Sequence, residues 1–230
     1  MDKMIHTALN TLNNIHMNRS VKSQNLSNIN VPGFRRDLGT SFSAGFLEQT
    51  EQFPSRVFAL HEGANIFSAK PGNIKSTGQE TDLAIKGSGF FITKPASGQP
   101  SLSRRGDLGV SGDGFLVNGA GAQMLDLNQA PITVPPFRKL VVSETGEMFI
   151  EPLGSEEGTR VALGSLATTS GSETPMKKDI DGEIRLVGGG VPAPDQNSII
   201  AQSFLEESNV NAVEELVDTL SQQRQFEINV

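Results

Sequence analysis

The residue types that usually carry chemistry are sparse in this chain and poorly spaced for it. There are three histidines, His6, His16 and His61, and no cysteine. A helix brings two metal-binding histidines together at i,i+4. His6 and His16 are much further apart than that, so they read as solvated or interfacial side chains. Without Cys there is no disulfide, no thiolate ligand and no thiol nucleophile, and the redox compartment stays open. Asp179, Asp181 and Glu183 alternate as calcium-loop carboxylates do. Gly182, however, comes ahead of the position where an EF-hand needs its glycine, so a hairpin turn with solvated carboxylates is expected. Gly109, Gly112, Gly114, Gly119 and Gly121 do not space as G-x-G-x-x-G, nor does a Lys-Ser/Thr pair complete a P-loop. They read as hairpin turns. Asn18-Arg19-Ser20 and Asn25-Leu26-Ser27 have the form of glycosylation sequons but fall within a helical pattern. No nucleophile, base and orienting group emerge together. The expectation is a protein that is not an enzyme, with no catalytic, cofactor-binding or metal-binding residues and no cofactor.

Composition narrows the class further. With 230 residues the chain can hold one or two domains. A hydrophobic fraction of 36%, 24 Gly and 12 Pro suggest a soluble, loop-rich and centrally β-rich protein. The net charge of −7 argues against general nucleic-acid binding. No apolar run approaches a membrane span, and no basic segment followed by an apolar core marks a secretory signal. Charge is nonetheless polarised along the chain. Lys3, Arg19, Lys22, Arg35 and Arg36 against Asp2 give residues 1–36 a net +4. Glu206, Glu207, Glu214, Glu215, Asp218 and Glu227 against Arg224 give residues 206–230 a net −5. The two ends are complementary, although exposed ion pairs contribute only about 0–1 kcal/mol each.

Both ends are helical in pattern. Ile5, Ala8, Leu12, Ile15, Leu26 and Ile29 recur at spacings that form one stripe. Asp2 suits the start, and Asn30-Val31-Pro32-Gly33 forms a stop. Six asparagines, at positions 10, 13, 14, 18, 25 and 28, make this helix weak by propensity. It therefore needs a partner surface. Burying one Leu or Ile gives roughly 1.5–3 kcal/mol. At the far end, Asn211 with Glu214 reads as a capping box. Val213, Leu216, Val217 and Leu220 then form an apolar stripe. No stop signal follows before Val230, as if the helix continues beyond it.

Between the helices the pattern changes. Residues 34–78 scatter Phe34, Phe42, Phe46, Phe53 and Phe58 without a period, which suggests an extended arm containing a strand near 56–60. From Thr81 onward, short apolar runs alternate with turn signals. Leu83 and Ile85 face Phe90-Phe91-Ile92 across Gly87-Ser88-Gly89, suggesting a turn between two strands. Asp113-Gly114, Thr145-Gly146 and Asp181-Gly182 suggest further turns. Residues 160–166 and 198–205 complete the expected strands, while 154–158 and 168–175 read as exposed loops. Such spacing points to an antiparallel barrel or sandwich.

Four ordered segments resemble the flagellar rod and hook proteins. Ser23-Gln24-Asn25-Leu26-Ser27-Asn28-Ile29-Asn30 with Gly33-Phe34-Arg35-Arg36 is similar to that family's S-x-N-L-A-N signature and the N-x-x-T-x-G-[FY] that follows. The similarity continues through Thr81 to Phe91 and through Ser103-Arg104-Arg105-Gly106-Asp107-Leu108. It ends with Glu207-Ser208-Asn209-Val210-Asn211-Ala212-Val213-Glu214. Val31, Ser27, Leu102 and Leu108 depart from the usual residues. Within the family, the opening Met1 to Ala8 and the length are most similar to the proximal rod members, with the distal rod members as the alternative. The resemblance implies an axial protein of the bacterial flagellar basal body that self-assembles with sister rod proteins into a torque-transmitting helical tube. It also implies a periplasmic location, reached through the flagellar export channel without a cleaved signal.

The fold expected is α+β: an antiparallel β-rich central domain, barrel- or sandwich-like, flanked by N- and C-terminal helices that form a coiled-coil assembly domain. The expected division is 1–33 with 207–230 as the helical domain, 34–78 as connector and 79–206 as the β domain. The expected assembly interface is Ile5, Ala8, Leu12, Ile15, Leu26 and Ile29 against Val213, Leu216, Val217 and Leu220, within and between subunits. Copies of the chain and sister rod proteins are the expected partners, with no small-molecule substrate, no nucleic acid and no membrane insertion. The alternative is a β domain that binds a ligand, with the helices as an oligomerisation stalk.

Overall fold

The computed structural model of the chain describes residues 2–39, 41–45, 58–62, 66–171, 175–179 and 181–229. It divides into two compact units. A helical unit comprises Met1–Ile29, Arg36–Ser68 and Val210–Val230, and a β unit comprises Asn30–Arg35 and Ala69–Asn209.

In the helical unit, α1 spans Asp2–Ser27. Its last turn tightens as the Asn28 N–H donates to the carbonyls of Gln24 and Asn25, and the Ile29 N–H to that of Leu26. Such shortened bonds satisfy carbonyls that a helix end leaves without partners. Helix α2 spans Ala212–Asn229. Asn211 caps it, its Oδ1 accepting from the Val213 N–H at 3.0 Å and the Glu214 N–H at 3.4 Å. The return half of the expected capping box is replaced, because the Glu214 carboxylate pairs with Arg36 at 2.8 Å. A charged partner outcompetes a backbone amide for that oxygen. Residues 36–68, read from sequence as part of an arm, group with the helices. There Ser41–Gly45 pairs antiparallel with Phe58–Glu62, and Asp37 bridges Phe67. The strand expected near 56–60 thus begins at Phe58 among the described residues; Arg56, Val57, Phe46 and Phe53 lie outside them.

The β unit is antiparallel throughout its described pairings. Its main sheet runs in the order Met176–Lys178, Ile184–Leu186, Ser101–Ser103, Phe90–Lys94, Gln123–Met124, Leu116–Asn118, Leu108–Val110. Phe137–Val142, Glu147–Pro152 and Val161–Ser165 form a three-stranded sheet. Ile199–Gln202 pairs with Leu83–Lys86, and Phe204–Glu206 with Ile74–Ser76. The hairpins expected at Asp113-Gly114 and Thr145-Gly146 form, with Gly114 and Gly146 at φ of 79° and 90°. Alternating residues then point inward, as a period of two requires. Leu83, Ile85, Phe91, Leu116, Met124, Leu140, Met148 and Ile150 meet in one core.

Three strand expectations need correction. Leu83–Lys86 and Phe90–Lys94 do not form a hairpin; they belong to different sheets. Thr168 and Thr169, expected in an exposed loop, are buried and pair with Phe91 and Phe90. Their hydroxyl-bearing, loop-like composition hid a short strand whose β-branched side chains fit a packed sheet. The run 198–205 is two strands, broken at Ser203, whose φ is 67°. The architecture is β-rich with antiparallel sheets and two helices.

Candidate assembly surface

Helix α2 carries two opposed faces. Val213, Leu216, Val217 and Leu220 lie within one stripe and are 70%, 52%, 56% and 58% exposed. Across the helix lie Glu215, Asp218, Thr219 and Gln222, at the spacing that faces a neighbouring helix. This polar side is the one turned to α1. Glu215 is fully buried, and Asn25 Nδ2 donates to it at 3.2 Å. The Lys22 ammonium lies 3.5 Å from Glu215 and 2.6 Å from Asp218. Arg36 Nε donates to Glu215, and its Nη1 reaches Glu214 at 2.8 Å. Burial works against the Arg36 charge, but the hydrogen bond to Glu214 and the fields of Glu215 and Glu214 outweigh it and raise its pKa above the ordinary value. The +4 and −5 ends of the chain therefore do meet, through a few buried or half-buried pairs.

The placement of the expected interface residues follows. Among the described residues, α2 meets α1 through its polar side. Ile15 is half-buried and lines a groove of about 290 Å³ with His16, Arg19, Thr219, Gln222 and Gln223. Leu26 and Ile29 are half-buried. The side chains of Ile5, Ala8 and Leu12 lie outside the described residues, as do those of His6 and His61.

Sequence reasoning missed the buried polar residues, although Asn25, Arg35 and Arg104 sit inside the motifs it quoted. Asn25, in the first motif, is 1% exposed. Its amide donates to the Asp37 carbonyl at 2.9 Å, and its Oδ1 accepts from the Asp37 N–H at 2.8 Å. In the β unit, Arg35 and Arg104 converge on Glu206, at 2.8 and 2.7 Å, and all three are buried. Glu206 Oε1 also accepts from the Gly72 N–H at 2.8 Å, and the Glu206 carbonyl from the Gly33 N–H at 2.7 Å. Arg104 donates to the carbonyls of Gly87 and Gly89 at 2.6 and 2.9 Å. Burial lowers the Arg104 pKa to about 10 despite Glu206, so the guanidinium stays charged at neutral pH. Lys178 sits 4.1 Å from the Phe34 ring centroid and donates to the Arg35 carbonyl at 2.7 Å. The glycines of these motifs permit the approach. A Cβ on Gly33, whose φ is 67°, would fall 2.4 Å from the Arg104 backbone, and one on Gly106 would fall 1.8 Å from the Leu83 carbonyl oxygen. The signal that could have found the two cations of this cluster was the recurrence of an arginine pair near a glycine, in Gly33 to Arg36 and in Arg104 to Gly106.

The alternating carboxylates have protein partners. Asp181 accepts twice from Arg185, at 2.8 Å each, and Glu183 accepts from Ser101 at 2.8 Å. The Arg185 hydrogen bond holds the Asp181 pKa down at about 2. Among the described residues no three His, Asp or Glu side chains gather into a metal-holding group, and no helix is long and apolar enough to cross a membrane.

Comparison with known proteins finds similarity over these segments. Residues 84–150 match the family described as flagellar hook protein FlgE/F/G D1 domain, and residues 201–230 match the flagellar basal body rod FlgEFG protein C-terminal family. The flagellar basal-body rod protein FlgF of Salmonella typhimurium is 26% identical, with 100% of this chain and 92% of that protein aligned. FlgF of Rhizobium meliloti is 29% identical over 99% of this chain and 90% of its own length. FlgG of Agrobacterium fabrum is 29% identical over 92% of this chain and 87% of its own. The first family covers the segment that supplies Arg104 and Gly106 and the second the one that supplies Glu206 and Glu215, and the chain is similar along its whole length to flagellar basal-body rod proteins.

Proposed function

We propose that this chain is a structural subunit of the bacterial flagellar rod, whose terminal helices assemble with those of neighbouring subunits and whose β unit is a separately folded body. One observation carries the reading. The apolar stripe of α2 is exposed while its polar side is already satisfied within the chain. Fully burying a Val or Leu against a neighbour gives roughly 1.5–3 kcal/mol, repeated at each subunit. Ile5, Ala8, Leu12, Ile15, Leu26 and Ile29 on the N-terminal side, with Val213, Leu216, Val217 and Leu220, are the surface assigned to coiled-coil contacts between subunits. The role is mechanical, with no catalysis. Partners are copies of the chain and sister rod proteins, in the periplasmic part of the basal body. Export runs through the flagellar channel without a cleaved signal, a route that an absence of Cys suits.

Relatives named FlgF at 26% and 29% identity support a proximal rod position, as does the opening segment. A FlgG relative at 29% supports the distal alternative. The test is to purify basal bodies from a strain carrying an epitope-tagged copy of this chain. Tag label confined to the rod is the expected result; a chain wholly absent from salt-washed basal bodies contradicts the assignment. The order of assembly, scored by which rod proteins persist when this chain is deleted, separates proximal from distal.

A further inference from the structure

The chain passes between the helical unit and the β unit at four places, after Ile29, Arg35, Ser68 and Asn209. Each lies within a few residues of one bonded set inside the β unit. The Gly33 N–H donates to the Glu206 carbonyl at 2.7 Å, and the Asn209 N–H to the Phe34 carbonyl at 3.2 Å. Asn209 Nδ2 donates to the Lys70 carbonyl at 2.7 Å, and Arg35 Nη1 donates to that same oxygen. The Glu207 N–H reaches the Asn73 carbonyl at 2.8 Å. The runs 30–35, 69–73 and 206–209 are thereby laced together. A Cβ on Gly72 would fall 1.9 Å from the Glu207 carbonyl oxygen, so this approach requires glycine. Every member belongs to the β unit, and none of these bonds involves α1 or α2.

One carboxylate joins the lacing to the body of the unit. Glu206 Oε1 lies 2.8 Å from Arg35 Nη1 and accepts from the Gly72 N–H at 2.8 Å, while Oε2 pairs with Arg104 Nε at 2.7 Å. Arg104 is tied in turn to the carbonyls of Gly87 and Gly89, directly before the strand that puts Phe91 in the core. A buried ion is tolerated only where partners compensate its lost hydration. Arg35 can therefore bury its charge only at Glu206, and Arg104 fixes where Glu206 stands. We infer that Glu206 is a seat: it holds Arg35, and with it the run 30–35, on the body that Arg104 anchors, so that both terminal runs join the β unit at one fixed place. The inference deepens the rod reading, on which its mechanical use rests. Force arriving along either terminal run passes into the β core through Glu206 and Arg104 instead of being lost in a pivoting backbone.

Hydrogen exchange of single amides in the full-length chain tests the seat. Arg35→Met leaves Glu206 its Arg104 partner, so the β unit stays folded. Exchange at Gly33 and Asn209 should quicken about tenfold, while Ile92, whose N–H donates to the Ala167 carbonyl, is unchanged. Glu206→Gln should quicken Gly33 as well, and adding Arg35→Met to it should change that amide by less than about twofold, because both side chains act through one contact. Arg105→Met, which removes only the pair with Asp107, should leave Gly33 at the parent rate. Unchanged exchange at Gly33 in Arg35→Met, or exchange there in the parent as fast as in an unfolded chain, overturns the inference. Swimming in a viscous medium separates the seat from its use. Cells whose only copy carries Arg35→Met should build rods yet swim more slowly than parent cells. If exchange responds as expected and swimming does not, the seat stands and its mechanical use is overturned. If neither the parent nor the variant chain enters basal bodies, the rod reading fails while the seat stands.

Discussion

At the scale of single residues, the decisive positions are buried ions. Glu206 compensates Arg35 and Arg104 in an interior from which water is excluded. Replacing one member of such a group strands the others, at a cost of about 3–5 kcal/mol. Glu206→Gln is therefore expected to lower the unfolding free energy of the β unit by that amount in a urea titration. Asp181 is a milder case. Its pKa of about 2 lies below the ordinary 3.8 because Arg185 hydrogen-bonds the ionised form. A depressed folded-state pKa contributes stability above the unfolded value, and that contribution is lost as pH falls through the folded one. The side chain is 32% exposed, and solvent screening reduces what the pair delivers. Asp181→Asn should cost about 1 kcal/mol at pH 7. The difference between variant and parent should vanish as the pH is lowered from about 4 to 2, measured by thermal unfolding across that range. These residues were hard to read in the sequence. A charge in a linear motif carries no mark of burial, and Glu206, Arg35 and Arg104 become neighbours only through folding.

At the scale of elements, periodic and turn signals were legible and pairings were not. The two helices, the stop of the first just ahead of Asn30 and the hairpins at Gly114 and Gly146 follow from local chemistry. The partner of Leu83–Lys86 is Ile199–Gln202, more than a hundred residues away, a choice that no local signal encodes. Which side of α2 meets α1 was equally hidden, because an apolar stripe ordinarily faces the protein's own interior. Here Glu215 and its donors take that place. The cap is a local feature and gives a local prediction. Asn211→Ala should remove the acceptor for the Val213 and Glu214 amides and cost about 1 kcal/mol of helix stability. Hydrogen exchange of the first turn of α2 should accelerate several-fold, with the core of the β unit unchanged.

At the scale of the whole molecule, the protein is a β unit and a helical unit with separate physical duties. The β unit carries a closed core and a buried charge cluster. The helical unit carries an apolar stripe, Val213, Leu216, Val217 and Leu220, that is exposed among the described residues. The most direct measurement is incorporation of Leu216→Asp into flagellar rods, scored in purified basal bodies beside thermal unfolding of the soluble chain. The account predicts loss of incorporation by at least tenfold with the β-unit transition unmoved, since Leu216 is half exposed in the single molecule. Normal incorporation of a folded Leu216→Asp chain would contradict it.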